Sequence, residues 1–380
     1  MILQGKGMYL WRIKNVEGGD PNAIADLAKR AGLTHVLVKV ADGRGTYNTY
    51  KVEDGREMFN HQQGVDHVPA VVAALRARGI QAWGWQYIYG ESPLLEARMA
   101  IRRVKEFELD GFVVNAEDEF RVRGKDVAAR QYMSELRREL PNTPLALSSF
   151  RYPNVHHPFP FSTFLEYCDL NMPQVYWVRA RNPAEQLLSS LRQYQSLTPW
   201  RTYFPTGAAY GEHGWRATPS EVTEYLKAVK EYDLPGTNFW EMYFARHQKE
   251  GELWNAVQNF AWAAPGASAT PEIHIRYLEA LNSGDPLEVA ALYNDGGVHV
   301  NAERSAQGNE AILGWYTQLL HNKLPGARFN LTGTKLDDNV RIITWTAESS
   351  AGKVLDGKDS IGVKGEKIGY HYTYFTVQKN

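Results

Sequence analysis

The stretch Gln81–Ala116, QAWGWQYIYGESPLLEARMAIRRVKEFELDGFVVNA, contains the repeating unit that decides the fold. A short apolar and aromatic run over 81–85 is followed by an amphipathic segment over 94–107, and a second apolar run begins at Gly111. Apolar runs of strand length that alternate with helical periodicity are typical of strand–helix units with parallel strands. The stretch therefore predicts a strand–helix–strand unit of a parallel sheet.

The same alternation extends in both directions over roughly the first 260 residues. Strand candidates begin at Met8, His35, Gln81, Gly111, Leu145, Leu170, Thr202 and Thr237. Helix candidates follow them, the clearest being 23–31, 68–78, 94–107, 128–140, 184–197, 219–232 and 251–261. Eight strand–helix units in about 260 residues predict an α/β fold of the (β/α)8 barrel type.

Residues 263–270, AAPGASAT, are small and uncharged, and they separate two different patterns. Such a composition is typical of a linker, so we predict a barrel domain over 1–262 and a second domain over 271–380. The second domain has helical patterns over 271–282, 286–293 and 309–320, and strand-like runs at 297–301, 328–333, 340–348, 359–363 and 367–377. Helices followed by a closing antiparallel sheet predict a smaller α+β domain.

Composition narrows the classes of function. The 42 Lys and Arg residues against 43 Asp and Glu residues leave a net charge of −1, which argues against nucleic acid as a partner. No run approaches the ~20 apolar residues of a membrane span, and the amino-terminal residues lack the pattern of a secretory signal. We therefore expect no membrane association and a cytoplasmic location by default, with a secreted form left open.

Motifs for bound cofactors are missing from the sequence. No phosphate-binding or dinucleotide-binding glycine pattern occurs, and the His156-His157 pair has no neighbours at metal-ligand spacing, so we expect neither a cofactor nor a metal. The 11 Trp and 21 Tyr residues are unusual, because flat aromatic rings serve sugar stacking as well as core packing.

The stretch Asp110–Glu119, DGFVVNAEDE, carries the strongest candidate site. Strand alternation places Val114 and Ala116 toward the helices, which directs Asn115 and Glu117 to the mouth of the barrel, where reacting groups lie in this fold. Desolvation among aromatic rings raises the pKa of a carboxyl group, as a general acid near neutral pH requires. Glu117 is therefore the leading catalytic candidate.

The pattern Asp110-Gly-x-x-x-Asn115-x-Glu117 resembles the strand-four motif Asp-Gly-x-Asp-x-Asp-x-Glu of the chitinase family. In that family the final Glu protonates the glycosidic oxygen, and the Asp two residues earlier orients the acetamido group of the substrate. Here Val113 and Asn115 stand at the positions of two family aspartates. An Asn-x-Glu pair is similar to that of the endo-β-N-acetylglucosaminidases, where it supports attack by the substrate's own N-acetyl group.

A second similarity lies on strand two, where Val38-Lys-Val-Ala-Asp42-Gly resembles the Lys-x-x-Glu-Gly of the Chalaropsis-type lysozymes. These lysozymes also carry Asp-x-Glu at the place of Asn115-x-Glu117. The resemblances imply a glycosidase that acts on an N-acetylhexosamine-containing glycan, with Glu117 as general acid/base and Asn115 orienting the acetamido group. The alternative is a non-catalytic carbohydrate-binding barrel, which the replacement of the family aspartates would produce.

Other residues at predicted strand ends are candidates for substrate binding: Asp42, Trp85, Tyr87, Gln174, Tyr176, Trp240 and Glu241. For several of them a structural role is equally open. Asp42 also suits an Asp-Gly turn, and Tyr176 also suits core packing. Glu241 could pair with Arg12 or Arg201.

The phrases Tyr277–Asp285, Gly308–Ile312 and Ile368–Phe375 resemble the SnoaL-like branch of the nuclear transport factor 2-like superfamily. The resemblance implies a curved sheet wrapped over helices to form a cone, which we expect to be lined by Tyr316, Trp345, Asp359 and His371. Isomerases and epoxide-opening enzymes occur in that superfamily. We prefer a non-catalytic binding module or a homodimerisation module, because no paired constellation of reacting groups is recognisable.

Overall fold

A computed structural model describes residues 3–59, 63–262, 273–337, 340–364 and 367–379. The chain divides into two compact units, residues 1–265 and 266–380. The predicted linker over 263–270 lies outside the described residues.

The first unit alternates strands and helices along the chain. Its strands are β1 (Gly5–Leu10), β2 (Leu33–Asp42), β3 (Gly45–Thr46), β4 (Thr49–Glu53), β5 (Arg56–Phe59), β6 (Val65–Asp66), β7 (Gln81–Ile88), β8 (Gly111–Ala116), β9 (Leu145–Ser148), β10 (Leu170–Asn171), β11 (Gln174–Val175), β12 (Thr202–Tyr203), β13 (Thr206–Ala208), β14 (Gly211–Glu212), β15 (Trp215–Arg216) and β16 (Gly236–Trp240). Its α-helices are α1 (Pro21–Arg30), α2 (Val68–Ala77), α3 (Pro93–Phe107), α4 (Lys125–Glu139), α5 (Phe161–Tyr167), α6 (Pro183–Gln195), α7 (Pro219–Glu231), α8 (Met242–His247) and α9 (Glu252–Asn259).

Ten of the described strands pair in parallel, in the order β11-β13-β16-β1-β2-β7-β8-β9-β10-β12. The short strands β10 and β11 are separated by two residues, and so are β12 and β13. β10 pairs with β12, and β11 pairs with β13. The first unit is therefore a curled, barrel-like α/β sheet with helices between its strands, as the sequence predicts at this coarser level.

Side chains of each long strand alternate between two apolar clusters. The inner cluster consists of Leu3, Tyr9, Leu37, Trp83, Trp85, Val113, Ala146, Leu170, Met172 and Phe204. The neighbouring residues Phe112, Val114 and Ala116 of β8 belong instead to the large cluster that includes the helices. This is the alternation predicted for the strand, and it directs Asn115 and the following Glu117 to the inner side.

Local sequence explains where several helices begin. Asp20 precedes α1, and its carboxylate accepts the Ala23 amide at 2.8 Å, with Pro21 at the first helical position. Thr218 and Glu221 form a reciprocal capping box at the start of α7. A proline at the first or second helical position is a local signal shared by α2, α3, α6 and α7, and the starts of these helices at 68, 93, 183 and 219 lie within one residue of the predicted ones.

Two features of the first unit had no bounds in the sequence prediction. A three-stranded antiparallel sheet of order β5-β4-β6 follows β2, and the short helix α5 follows β9. α5 begins directly after Pro160, the last residue of a proline-rich stretch. Neither feature has the length or the periodicity that identifies elements reliably.

The second unit contains helices and a larger sheet. Its elements are α10 (Ile273–Ser283), α11 (Pro286–Ala290), β17 (Tyr293–Val300), β18 (Ser305–Gln307), α12 (Asn309–Gln318), β19 (Arg328–Asp337), β20 (Val340–Ser349), β21 (Gly352–Lys364) and β22 (Lys367–Tyr374). The described strands pair in the order β18-β17-β22-β21-β20-β19. The closing strands β19 to β22 pair antiparallel, as predicted, whereas β17 and β22 run parallel, which the sequence did not indicate. The α+β class matches the prediction.

Candidate functional site

Glu117 lies immediately after β8, where its carboxylate meets two amide side chains. Its Oε1 accepts a hydrogen bond from Nδ2 of Asn115 at 3.0 Å and another from Nε2 of Gln174 at 2.8 Å. The same Gln174 nitrogen contacts Oδ1 of Asn115 at 3.1 Å and Oγ of Ser148 at 3.4 Å. β8, β9 and β11 therefore bring one carboxylate, two amides and a hydroxyl together on the inner side of the sheet.

Partial burial controls the electrostatics of Glu117. Desolvation raises the pKa of its carboxyl group, and the two donated amide hydrogen bonds oppose that rise only in part. Within the described part of the first unit, the hydrogen bonds of this side chain all go to Oε1. A carboxyl group with a raised pKa and an oxygen without such donors can carry and release a proton.

Four aromatic rings form a group on the inner side of the sheet, and the charge of Glu117 contributes to the raised pKa of one of them, Tyr9, after the larger effect of burial. Trp240, at the end of β16, is within 5.5–5.9 Å of the rings of Tyr9, Trp85 and Trp11, measured between ring centroids. Trp240 and Trp11 are partly exposed, whereas Trp85 is only 2% exposed. Trp240 and Trp11 can therefore offer a ring face to a ligand, and Trp85 packs beneath them.

Lys39, on β2, is a buried cation that the sequence analysis did not identify. Its Nζ binds Oδ2 of Asp42 and lies 4.8 Å from the centroid of the Trp85 ring. Desolvation lowers the pKa of Lys39, while the charges of Asp42 and Glu117 oppose that effect. Asp42 also accepts the hydroxyl of Tyr89 at 2.7 Å, so both of its oxygens are occupied within the protein.

Tyr87, at the end of β7, is partly exposed, and its hydroxyl donates to Oε2 of Glu119 at 2.6 Å. Tyr176, two residues beyond Gln174, is also partly exposed and packs edge-on against Tyr210 with centroids 5.4 Å apart. These two predicted binding residues therefore lie at the strand ends, with their rings supported by protein contacts.

Glu241 follows Trp240 through a cis peptide bond and caps α8. Its Oε1 accepts the Phe244 amide at 3.0 Å, and the side chain also lines a cavity of about 200 Å³ together with Trp11 and Arg12. Burial raises the pKa of Glu241 to about 7, against the nearby charge of Arg12. The alternative pairing with Arg201 is not formed, because that guanidinium binds the carbonyl oxygens of Leu165 and Glu166.

The four residues predicted to line the second domain's cone come together in one buried cluster. Asp359 is fully buried and accepts Nε1 of Trp345 at 2.9 Å and the hydroxyl of Thr373. His371 Nε2 lies 3.5 Å from Oδ1 of Asp359. Because Tyr316, Trp345, Asp359 and His371 are each at most 2% exposed, they pack on one another in the interior of the unit.

Tyr293 connects this cluster to further buried rings. Its hydroxyl contacts the Tyr316 hydroxyl at 2.7 Å, Nδ1 of His299 at 3.1 Å and Nδ1 of His371. Burial holds the pKa of His299 far below its usual range. An adjacent cavity of about 490 Å³ is lined by Thr373 and Trp315 among others, so it borders the cluster through those two side chains.

Some site residues carried a signal that the sequence analysis did not use. Lys39 and Ser148 stand at inward positions of strands whose other inward residues, such as Leu37 and Ala146, are apolar. A charged or polar side chain in that pattern indicates a site. The contacts of Tyr89 and Glu119 had no comparable signal, because both residues lie beyond the strand ends, Tyr89 in the segment after β7 and Glu119 in a short 3-10 helix after β8.

No family model matches the chain, and no curated protein matches it. Solved structures match about a quarter of it. A nuclear transport factor 2-like protein of unknown function from Cytophaga hutchinsonii is 10% identical, with a TM-score of 0.24, over 27% of this chain and 87% of its own. A protein with a ketosteroid isomerase-like fold from Catenulispora acidiphila is 18% identical, with a TM-score of 0.25, over 29% of this chain and 89% of its own. A putative isomerase of the SnoaL-like family from Agrobacterium tumefaciens is 22% identical, with a TM-score of 0.24, over 27% of this chain and 94% of its own.

In the ranges that the structure describes, no group of three or more His, Cys, Asp or Glu side chains is arranged to hold a metal ion. None of the described helices is both long and apolar enough to cross a membrane.

Proposed function

We propose that the first unit is a glycosidase that acts on an N-acetylhexosamine-containing glycan, with Glu117 as its general acid/base. The observation that carries this proposal is the partly buried Glu117 carboxyl group, which is held by Asn115 and Gln174 on the inner side of the sheet, where the partly exposed rings of Trp11 and Trp240 pack on one another. A carboxyl group with a raised pKa is suited to protonate a glycosidic oxygen, and flat rings are suited to stack on a sugar.

The second reacting group in this proposal is the substrate's own acetamido oxygen. A retaining mechanism with two carboxylates needs a second free carboxylate about 5–5.5 Å from the first, and an inverting one needs about 6.5–9.5 Å. Both oxygens of Asp42 are bound, by Lys39 and Tyr89, and Glu241 caps α8 through Oε1, while its Oε2 has no hydrogen-bond partner among the described residues. These contacts favour a substrate-assisted reaction, in which Gln174 and Asn115 hold Glu117 and present their remaining amide groups to the acetamido group.

We also propose that the curled sheet is a complete (β/α)8 barrel. The support is that β10 with β11, and β12 with β13, act as the sixth and seventh strands of a ring. The ring then continues through the pairing of β13 with β16 and of β16 with β1. In such a barrel the ends of β8, β11 and β16 lie at one mouth, which is where Glu117, Gln174 and Trp240 stand.

The test compares the wild-type protein with Glu117→Gln on chitin oligosaccharides, peptidoglycan and high-mannose N-glycans. Cleavage is read by mass spectrometry, and binding is read by calorimetry. We expect Glu117→Gln to lower the cleavage rate by roughly 10²- to 10⁴-fold, the range for loss of a general acid, while binding persists. Asp118→Asn is the matched control, because this neighbouring carboxylate is 75% exposed and pairs with Arg121 on the surface. Equal loss in both variants would contradict the assignment.

The second candidate function is a carbohydrate-binding barrel without catalysis. The presence of Asn115 and Val113 at the positions of two family aspartates favours it, as does the occupation of Asp42 by protein contacts. Binding of a glycan by the wild-type protein with no cleavage of any substrate in the panel would favour this candidate.

For the second unit we propose self-association through one face of its sheet, which supports a homodimer. Tyr370, Tyr372 and Tyr374 alternate along β22 and are 39–47% exposed. Sedimentation equilibrium of the wild-type chain and of a triple Tyr→Ser variant tests this proposal, and a monomeric wild type would overturn it. The cytoplasmic location stays a prediction.

A further inference from the structure

A polar cleft of about 700 Å³ lies beside α3, away from Glu117 and its partners. It is lined by residues of the segment from β3 to β6, including Thr46, Thr49 and Asp66, and by the α3 residues Arg102, Arg103 and Lys105. The proposed glycosidase does not use any of these residues.

Arg103 is the central group of the cleft and is only 1% exposed. Its Nε donates to the Val40 carbonyl at 2.9 Å, and its Nη1 binds Oδ2 of Asp66. Its Nη2 is buried and has no hydrogen-bond partner among the described residues. A guanidinium nitrogen can only donate, so an unpaired buried one calls for an acceptor, and burial without one is costly.

Two threonine hydroxyls of the cleft are also buried without a hydrogen-bond partner. Oγ1 of Thr46 and Oγ1 of Thr49 are buried without a partner in the described structure, although both residues line the cleft. Their backbone places them next to the guanidinium. The Val40 carbonyl that accepts Arg103 also accepts the amide of Tyr47, and Thr49 is the cross-strand partner of Asp66.

We propose that this cleft binds a small oxyanion, a carboxylate or phosphate group, through Nη2 of Arg103 and the hydroxyls of Thr46 and Thr49. Such a group supplies the acceptors that these three donors lack, and hydrogen bonds between charged partners are among the strongest in proteins. The cleft's charged residues are three cations (Arg102, Arg103, Lys105) and two carboxylates (Asp66, Glu106), a difference of 3 − 2 = +1. Nζ of Lys105 pairs with Oε2 of Glu139 at 3.0 Å. Besides Arg103, the cation of the lining that is available to the ligand is therefore Arg102.

The test uses the full chain and measures binding by calorimetry and by the shift in melting temperature. Sodium phosphate and sodium acetate are the probes, and sodium chloride at matched ionic strength is the reference. We expect phosphate or acetate to raise the melting temperature above the chloride reference, and the tighter of the two identifies the ligand's charged group. No binding of either anion would overturn the proposal.

The variant Thr46→Val/Thr49→Val removes both hydroxyls and almost no volume. We expect it to weaken anion binding by about tenfold or more, since two hydrogen bonds to a charged ligand are lost. Without anion its melting temperature should stay equal or rise, because buried hydroxyls without partners are removed. Thr223→Val, on α7, is the control and should bind as the wild type does. Unchanged affinity in the double variant would contradict the site, whatever the outcome of the glycosidase assay.

Discussion

Gln174 donates a hydrogen bond from Nε2 to Oε1 of Glu117 at 2.8 Å, although the two residues are 57 positions apart in the chain. This contact joins the sixth strand–helix unit to the fourth. It also stabilises the charged form of the carboxyl group, so it works against the rise in pKa that burial causes. The proton affinity of Glu117 is therefore set by a balance between desolvation and its two amide neighbours.

Gln174→Leu should shift that balance. Loss of the donor raises the pKa of Glu117 further, and a general acid acts while it is protonated, so the basic limb of the kcat/KM profile should move to higher pH. We expect kcat to fall by about tenfold, because the carboxyl group loses a positioning hydrogen bond. The measurement is a pH profile of glycan cleavage. Gln81→Leu, which removes an acceptor for Trp83 at the start of β7, should leave the limb in place.

The two tryptophans of the aromatic group should respond differently to truncation. Trp240→Ala removes a partly exposed ring, and we expect glycan binding about tenfold weaker with little change in fold, since ring stacking contributes of the order of 1 kcal/mol. Trp85→Ala removes a buried ring and should lower the free energy of unfolding by about 3–5 kcal/mol. Calorimetry of binding and urea denaturation separate the two effects. The reverse pattern would show that Trp85 is the binding surface.

Glu241→Gln should stabilise the protein at alkaline pH. The folded-state pKa of Glu241 is raised to about 7 from a usual value of 4.5, so ionisation costs stability as pH rises from 4.5 to 7. Gln keeps the oxygen that caps α8 and cannot ionise, so the variant should gain up to about 3 kcal/mol at pH 8 and nothing at pH 4. Denaturation curves at the two pH values provide the measurement. An equal difference at both would refute the titration argument.

His299 should make the second unit sensitive to acid. Burial lowers its pKa in the folded state, so the unfolded state binds an extra proton below the ordinary value of 6.5, and stability falls as pH decreases from there. One such group contributes a slope of about 1.4 kcal/mol per pH unit. His299→Gln should reduce the slope by that amount between pH 6 and pH 4, measured by denaturation at successive pH values. An unchanged slope would mean that His299 does not control the transition.

Periodicity predicted the elements of the chain better than their pairing. The amphipathic segment over 94–107 became α3, and the run from Gly111 became β8, because strand and helix patterns depend on residues close in sequence. The parallel pairing of β17 with β22 had no such signal, since parallel neighbours are joined by long connections. The three-stranded sheet of β4, β5 and β6 was not predicted, because its strands are too short to show a clear pattern.

The sequence by itself determined that Asn115 and Glu117 share one face of a strand, because strand alternation is a local property. Only the tertiary structure decided the contacts between distant residues: Gln174 against the Glu117 carboxylate, Tyr89 on Asp42 and, within the second unit, Asp359 buried against Trp345. Each of these contacts joins different strands or the loops that follow them. Their distances depend on the register and curvature of the sheet, which arise from packing of the whole unit and have no counterpart in any short stretch of the chain.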